Sequence, residues 1–252
     1  MTEYLLVFLI GLGASFFGSF ISGGVSAIAI PLLIAIGLPP HVALGTFGVG
    51  AFGFDIGGML QYQKNRQVVW KYVLPLTIIV IPTAILGSLL VLNIDPVLVS
   101  TIIGTVILAF IPITFYKPDL GVVRHSVTKT KERLGYVAHA LVTVYGTSFS
   151  VGAGLFWTYT MMYFYGLELI ESKGTLKIPS FTSAVVKVAV FGLAGAINWP
   201  LAGVLLIGTF MGAYAGTHYA ILAGNVWLRR ILLLSMAILG LQLIWSNMSA
   251  II

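Results

Sequence analysis

Long apolar runs alternate with short polar segments along the whole chain, five runs in each half. A helix needs about 20 residues to cross a hydrocarbon core of about 30 Å. The first two runs of each half are short, and the other three reach or approach this length, which predicts a short helix pair, re-entrant or broken, followed by three transmembrane helices. The runs are Tyr4–Phe20, Val25–Ile36, Val42–Tyr62, Tyr72–Leu92 and Pro96–Tyr116, then Leu134–Ser148, Leu155–Tyr165, Ile178–Leu193, Leu201–Leu222 and Val226–Trp245.

The composition excludes a water-soluble fold. Apolar residues make up 59% of the chain and charged residues only 8%, against about 25% charged residues in a soluble domain. The net charge is +6, but the basic residues lie between apolar runs, so the expected partner is the lipid bilayer and no nucleic acid. There is no cysteine. Zinc-protease, P-loop and nucleophile-elbow motifs are also missing from the sequence, so we expect no enzyme, metal or cofactor.

An internal repeat divides the chain. Several Gly, Ser, Thr and Trp positions recur at a separation of 129 residues, the distance from Gly37 to Gly166. This predicts two homologous membrane repeats, residues 1–116 and 134–252, joined by a basic cytoplasmic linker, 117–133. The matched positions are Ser19 and Ser148, Gly23 and Gly152, Gly37-Leu38 and Gly166-Leu167, Gly45-Thr46 and Gly174-Thr175, Trp70 and Trp199, and Gly87 and Gly216.

Basic residues predict the orientation. If each short pair enters and leaves on one side while every long run crosses, twelve Lys and Arg residues fall on a single, cytoplasmic face, and both termini lie outside. Three crossings per half are an odd number, so the second repeat is inverted relative to the first; two thin crossings per pair would give the same parity. The twelve residues are Lys64, Arg66, Lys71, Lys117, Arg124, Lys129, Lys131, Arg133, Lys173, Lys177, Arg229 and Arg230.

The connection within each short pair is rich in Gly, Ser and Thr. Glycine allows the backbone to leave the helix, and Ser and Thr satisfy the main-chain groups that are freed. The helix that follows presents its positive N-terminal end to the membrane centre, which favours an anion; close helix packing is the alternative role of these residues. The candidate substrate-binding residues are Ser22, Gly23, Gly24, Ser26, Thr147, Ser148, Ser150, Gly152 and Gly154.

Two charges lie within long apolar runs, Asp55 and Lys187. A charge in the membrane is expected to face the protein interior and to have a partner. At the repeat spacing Lys187 corresponds to Gly58, about one helical turn from Asp55, so the sequence predicts that the two meet. Either Lys187 attracts the anion while Asp55 carries a coupled proton or releases substrate, or the pair is structural. His139 is expected to be a hydrogen-bonded packing residue.

Two threonines begin or precede the third run of each half. We expect Thr46 and Thr175 to cap those helices, although contact with the substrate is a second role open to them.

These motifs resemble the TauE/SafE family of sulfite and organosulfonate exporters, also known as toluene-sulfonate uptake permeases. The resemblance rests on the Gly-rich first hairpin, Gly37-Leu38-Pro39-Pro40, Ala43-Leu44-Gly45-Thr46 and Gly152-Ala153-Gly154. It implies transport of sulfite, thiosulfate or organosulfonates, driven by protons or a gradient without ATP. The chain departs from the family at Ser22, where a third glycine is frequent, and at Phe47, where a serine is common.

The sequence therefore predicts an all-α integral membrane protein of the cell inner or plasma membrane, with two inverted-topology repeats. Its expected function is secondary transport of a small sulfur-containing anion, bound near the midplane between the two hairpin tips with Lys187 beside it. An anion channel, or a transporter of another small organic anion such as a carboxylate, is the alternative. The oligomeric state is open, a homo-oligomer included.

Overall fold

A computed structural model describes residues 2–91, 120–150 and 152–249. The predicted run Pro96–Tyr116 and the start of the linker lie outside the described residues. The helices within the described ranges are α1 Thr2–Phe20, α2 Gly24–Ala35, α3 Pro40–Lys64, α4 Trp70–Val91, α5 Lys129–Phe149, α6 Ala153–Phe164, α7 Leu169–Thr175, α8 Lys177–Leu193 and α9 Trp199–Ser249.

Four of these helices are long and apolar enough to cross a membrane: α1, α3, α4 and the first part of α9. A fifth span results if α7 and α8, which meet at a bend of 40°, are taken together. These lengths confirm a multi-pass helical membrane protein. Only the second helix of each pair is short, since α2 and α6 have 12 residues each. The prediction that α1 is also short is wrong, because its 19 residues extend beyond the apolar run to Thr2.

Helix limits in the second half follow those of the first at the spacing of 129 residues. The helix α2 corresponds residue for residue to α6, and α3 spans the same stretch as α7 and α8 together. Trp70 and Trp199 begin α4 and α9. The last helix is interrupted at Gly224, whose φ of 78° and ψ of 169° are not helical, and this break separates the two apolar runs predicted there.

Helices of one half pack mainly on helices of the other. The first helix α1 lies along α9, α4 lies along α5, and α3 contacts both α8 and α9. Glycines at every fourth position of α9 let its backbone touch α1, because any side chain there would overlap main-chain oxygen atoms of α1. These glycines are Gly208, Gly212 and Gly216, and the oxygens belong to Phe8, Leu12 and Phe16.

Two threonine hydroxyls link the halves reciprocally. The Thr46 Oγ1 accepts a hydrogen bond of 3.0 Å from the main-chain N–H of Asn198. The Thr175 Oγ1 accepts one of 3.0 Å from the N–H of Val69. Asn198 and Val69 are themselves 129 residues apart. The prediction that these threonines cap their own helices is wrong, because each hydroxyl accepts from the other half: Thr46 from the segment before α9, and Thr175 from the segment before α4.

Candidate functional site

The two helix pairs turn at glycines in the left-handed region. Gly23 precedes α2 with a φ of 78°, and Gly152 precedes α6 with a φ of 73°. An L side chain at such a φ is strained by about 1–2 kcal/mol, so glycine is the residue that allows this turn. We call the segments 18–26 and 146–154, apart from residue 151, the hairpin tips.

The hairpin tips touch each other. A Cβ built on Gly23 would lie 2.9 Å from the main-chain nitrogen of Gly154, and one built on Gly154 would overlap the backbone of Gly23. Beside this contact, the Ser26 hydroxyl donates to the main-chain oxygen of Ser150 at 2.9 Å. Substitution of either glycine by a larger residue would therefore separate the tips.

Two cavities flank the contact between Gly23 and Gly154. Their volumes are about 70 and 130 Å³. The smaller one, here the first cavity, is lined on its own side by Ser19, Ser22, Thr158, Lys173, Lys177 and Thr217. The larger, second cavity is lined on its own side by Ser26, Thr147, Ser150, Ser183, Ala184 and Lys187. Both are bounded by Gly23, Phe54, Asp55, Gly154, Trp157 and Ser180.

Lys187 belongs to the second cavity. Its side chain is only 5% exposed, and its Nζ donates to the Ser150 hydroxyl at the second hairpin tip. No carboxylate of the described residues lies within 4.0 Å of it. A lysine therefore lies beside the second hairpin tip, and it has no carboxylate partner among the described residues.

Asp55 is paired with a different lysine from the one predicted. Its Oδ1 lies 3.2 Å from the Nζ of Lys177, and its Oδ2 accepts a hydrogen bond of 2.8 Å from the Ser180 hydroxyl. The predicted ion pair with Lys187 is wrong because both lysines belong to α8, ten residues apart, which is about 15 Å along a helix. Asp55 meets the N-terminal end of α8.

Sequence reasoning missed two members of this site. It placed Lys173 and Lys177 in a polar cytoplasmic loop, but they lie in α7 and at the start of α8 and are buried. Lys173 donates from its Nζ to the main-chain oxygen of Ser19, at the first hairpin tip. The i, i+4 spacing of the two lysines was the available signal, since this spacing places both on one face of a helical segment.

Some of the other predicted site residues line a cavity, and some line neither. Ser22 lines the first cavity, and Thr147 lines the second. Ser148 lines neither cavity, and its hydroxyl donates to the main-chain oxygen of Gly87 at 2.7 Å, which joins α5 to α4. Gly24 and Gly152 also line neither cavity and contribute to the backbone of the turns.

His139 is buried in α5 behind the wall of both cavities. Its ring stacks on Trp157 with centroids 6.1 Å apart. The expected hydrogen bond is missing, since neither ring nitrogen has a partner among the described residues. His139 is therefore a packing residue that supports Trp157.

Helices long and apolar enough to span a membrane, packed around two cavities with lysine, serine and threonine side chains in their walls, define the class: a multi-pass helical membrane protein with space for a small solute. The model of the sulfite exporter TauE/SafE family matches residues 7–243. The chain belongs to this family of membrane transporters.

Curated relatives agree with this assignment. A protein of Haemophilus influenzae described as a probable membrane transporter is 27% identical over 247 residues, which cover 96% of this chain and 94% of the relative. Probable membrane transporter YfcA of Escherichia coli is 24% identical, with 96% and 90% covered. Probable membrane transporter YdhB of Bacillus subtilis is 25% identical, with 97% and 100% covered. No solved structure matches the chain.

Proposed function

We propose that this protein is a secondary transporter of small sulfur-containing anions, such as sulfite, thiosulfate or an organosulfonate. The observation that carries the proposal is the excess of buried positive charge on both sides of the hairpin tips. Lys173, Lys177 and Lys187 line the two cavities, and Asp55 is the acidic residue that lines them. Buried charges require partners, and a small anion supplies the missing negative charge.

The chemistry of the cavity walls suits an oxyanion. Hydroxyl and ammonium groups donate hydrogen bonds, and charge-assisted hydrogen bonds to an ionised oxygen are short and strong. Helices α2 and α6 both begin at the hairpin tips, where the helix dipole adds a partial positive charge. A sulfite or sulfonate group has three oxygen atoms that can accept from several such donors at once.

The two halves act, in this proposal, as inverted repeats that rock about the hairpin tips. The reciprocal bonds of Thr46 with Asn198 and of Thr175 with Val69 support a two-fold relation between the halves. Contacts that exchange in this way are what a two-fold axis between the halves produces, whereas a simple translation would not exchange them. An axis in the plane of the membrane gives the two repeats opposite orientations.

The proposed location is the cell inner or plasma membrane, with the linker in the cytoplasm and both termini outside. Exposed basic residues at the end of α3 and the start of α5, such as Lys64 and Lys129, support this orientation under the positive-inside rule. Lys173 and Lys177 give no support to this orientation, because they are buried.

Coupling is assigned to the pair of Asp55 and Lys177. Asp55 lines both cavities, so either one can supply a proton to it. Protonation of Asp55 would remove the charge that neutralises Lys177 and would leave that lysine free to attract an anion. Binding of a proton to Asp55 would therefore favour binding of an anion to Lys177, which couples transport of the anion to that of the proton.

Uptake of radiolabelled sulfite into proteoliposomes, with and without an imposed pH gradient, tests the function. A coupled transporter accumulates sulfite against its concentration gradient only when the pH gradient is imposed, and the rate saturates with sulfite concentration. Flux that does not saturate and never accumulates sulfite would identify a channel. Competition by acetate or another carboxylate, without competition by thiosulfate or a sulfonate, would identify a carboxylate transporter.

Two glycine variants test the contact between the hairpin tips. Gly154→Ala places a methyl group against the Gly23 backbone and is expected to abolish uptake. Gly203→Ala is the control, because a Cβ at this position in α9 meets no atom within 4 Å. Normal uptake by Gly154→Ala would show that the tips need not touch, and would remove the central argument for the site.

A further inference from the structure

We infer that the first cavity holds an anion subsite of its own, built around Lys173 and Ser22, so that the protein binds one anion on each side of the contact between Gly23 and Gly154. The inference deepens the proposed function and rests on it. The second subsite of this pair lies around Lys187 in the second cavity.

Ser22 provides the first observation. Its side chain lines the first cavity and is only 3% exposed, and its Oγ has no hydrogen-bond partner among the described residues. A buried hydroxyl without a partner costs about 1–3 kcal/mol. An anion in the cavity would accept this hydrogen bond and remove the cost. Ser22 immediately precedes Gly23, so the unpaired group lies at the hairpin tip.

Lys173 provides the second observation. Its side chain is 8% exposed, and its Nζ donates a hydrogen bond to the neutral main-chain oxygen of Ser19. Asp55, the carboxylate of this cavity, is already paired with Lys177 and with Ser180. Lys173 is therefore a buried amine without a carboxylate partner in the described part of the chain, and an anion in the cavity would supply that partner.

The correspondence between the two cavities provides the third observation. At the spacing of 129 residues, Leu176, Lys177 and Ser180 of the first cavity correspond to Phe47, Gly48 and Ala51 of the second, and Asp55 corresponds to Ala184. The cavities are thus counterparts on the same scaffold. Lys173 and Lys187, which have no carboxylate partner among the described residues, are not counterparts, since these positions correspond to Leu44 and Gly58. Each cavity therefore has a lysine at a position where the other cavity has none.

Equilibrium binding of radiolabelled sulfite to the purified full-length chain in nanodiscs tests the inference. The wild-type protein is expected to bind two anions per chain. Lys173→Met and Lys187→Met are each expected to bind one, and Lys129→Met, which removes an exposed charge from the linker, is expected to keep both. One anion per chain in the wild type, lost in Lys187→Met and retained in Lys173→Met, would overturn the inference while leaving the proposed function intact.

A serine pair separates binding from folding. Ser22→Ala removes an unpaired hydroxyl, so it is expected to leave thermal stability unchanged or improved while it weakens one binding step about tenfold. Ser15→Ala is the matched control, because its Oγ is also buried and unpaired but lines neither cavity. Equal affinities of the two variants for sulfite would overturn the subsite. No saturable binding by the wild type would overturn the proposed function as well.

Discussion

Lys187 lies against Gly48, where a Cβ would be 3.8 Å from the lysine Cγ. The opposite pair has the same relationship, because Lys177 lies against Gly58. At the repeat spacing Gly48 corresponds to Lys177 and Gly58 to Lys187. Lys187 therefore packs against the counterpart of Lys177, and Lys177 packs against the counterpart of Lys187. The two halves are nearly symmetric in backbone, but both lysines belong to the second half.

The glycine at position 58 is needed for the ion pair of Asp55. A Cβ on Gly58 would lie 2.6 Å from Cε and 3.0 Å from Nζ of Lys177, so the end of the lysine side chain must shift. Gly58→Ala is therefore expected to displace Lys177 from Asp55 and to reduce sulfite uptake about tenfold or more, since a shift of about 1 Å in a site can cost a factor of about 100. Uptake by proteoliposomes measures this.

Gly48→Ala is the matched control for this prediction. Its Cβ would lie 3.3 Å from Val188 and 3.8 Å from Lys187, so a small adjustment of Val188 accommodates it. Uptake close to that of the wild type is expected. A loss of uptake as large as that of Gly58→Ala would show that general crowding between α3 and α8, and not the position of Lys177, determines the result.

Breaking the buried ion pair is expected to destabilise the protein. In Asp55→Asn, Lys177 keeps its charge without its carboxylate, and such unpaired buried charges cost on the order of 3–5 kcal/mol. The double variant Asp55→Asn with Lys177→Met removes both charges and is expected to recover most of the thermal midpoint measured in detergent. Its sulfite uptake is expected to be independent of the pH gradient, because the proton acceptor is gone.

The double variant also separates the two roles considered for Asp55. If the pair were purely structural, the stabilised double variant would still accumulate sulfite in response to a pH gradient. If Asp55 carries the proton, the uptake that remains in the folded double variant no longer responds to the pH gradient. A control in which Glu132 is changed to Gln breaks the partly exposed pair with Lys71, and is expected to change neither stability nor coupling strongly.

Local backbone chemistry made part of the site predictable. The turns at Gly23 and Gly152 follow from the freedom of glycine to adopt a positive φ, and the repeat spacing placed both at corresponding positions. The partner of Asp55 was not predictable in this way, because it depends on which end of α8 approaches α3. Hydropathy alone also did not reveal that Lys173 is buried. The helix α7 has only seven residues, and Glu168, Glu171 and Lys177 lie close to Lys173 in the sequence.

The reciprocal threonine bonds give a stability prediction. Thr46→Val keeps the shape of the side chain but leaves the N–H of Asn198 without its acceptor, and Thr175→Val does the same to Val69. Each substitution is expected to cost about 1–3 kcal/mol, visible as a lower thermal midpoint in detergent. Thr→Ser at either position retains the hydroxyl and is the control. A midpoint unchanged by both valine substitutions would show that these bonds do not hold the halves together.

The inverted orientation of the halves can be tested with a pair of thiols, because the chain has no cysteine of its own. Asn65 follows α3 and Ala194 follows α8; both are exposed, and they are 129 residues apart. Inverted repeats place such corresponding turns on opposite sides of the membrane. In intact cells, an impermeant maleimide is therefore expected to label Ala194→Cys but to label Asn65→Cys only after the membrane is permeabilised.

A third cysteine variant determines which side of the membrane is the cytoplasm. Lys129→Cys at the start of α5 is exposed and belongs to the basic linker, so it is expected to behave like Asn65→Cys and to report the cytoplasm. Labelling of both turn positions from the same side would mean that the halves are parallel repeats, related by an axis along the membrane normal. The reciprocal contacts of the threonines would be retained, because a two-fold axis along the normal also exchanges them, but a rocking motion of oppositely inserted halves could not operate.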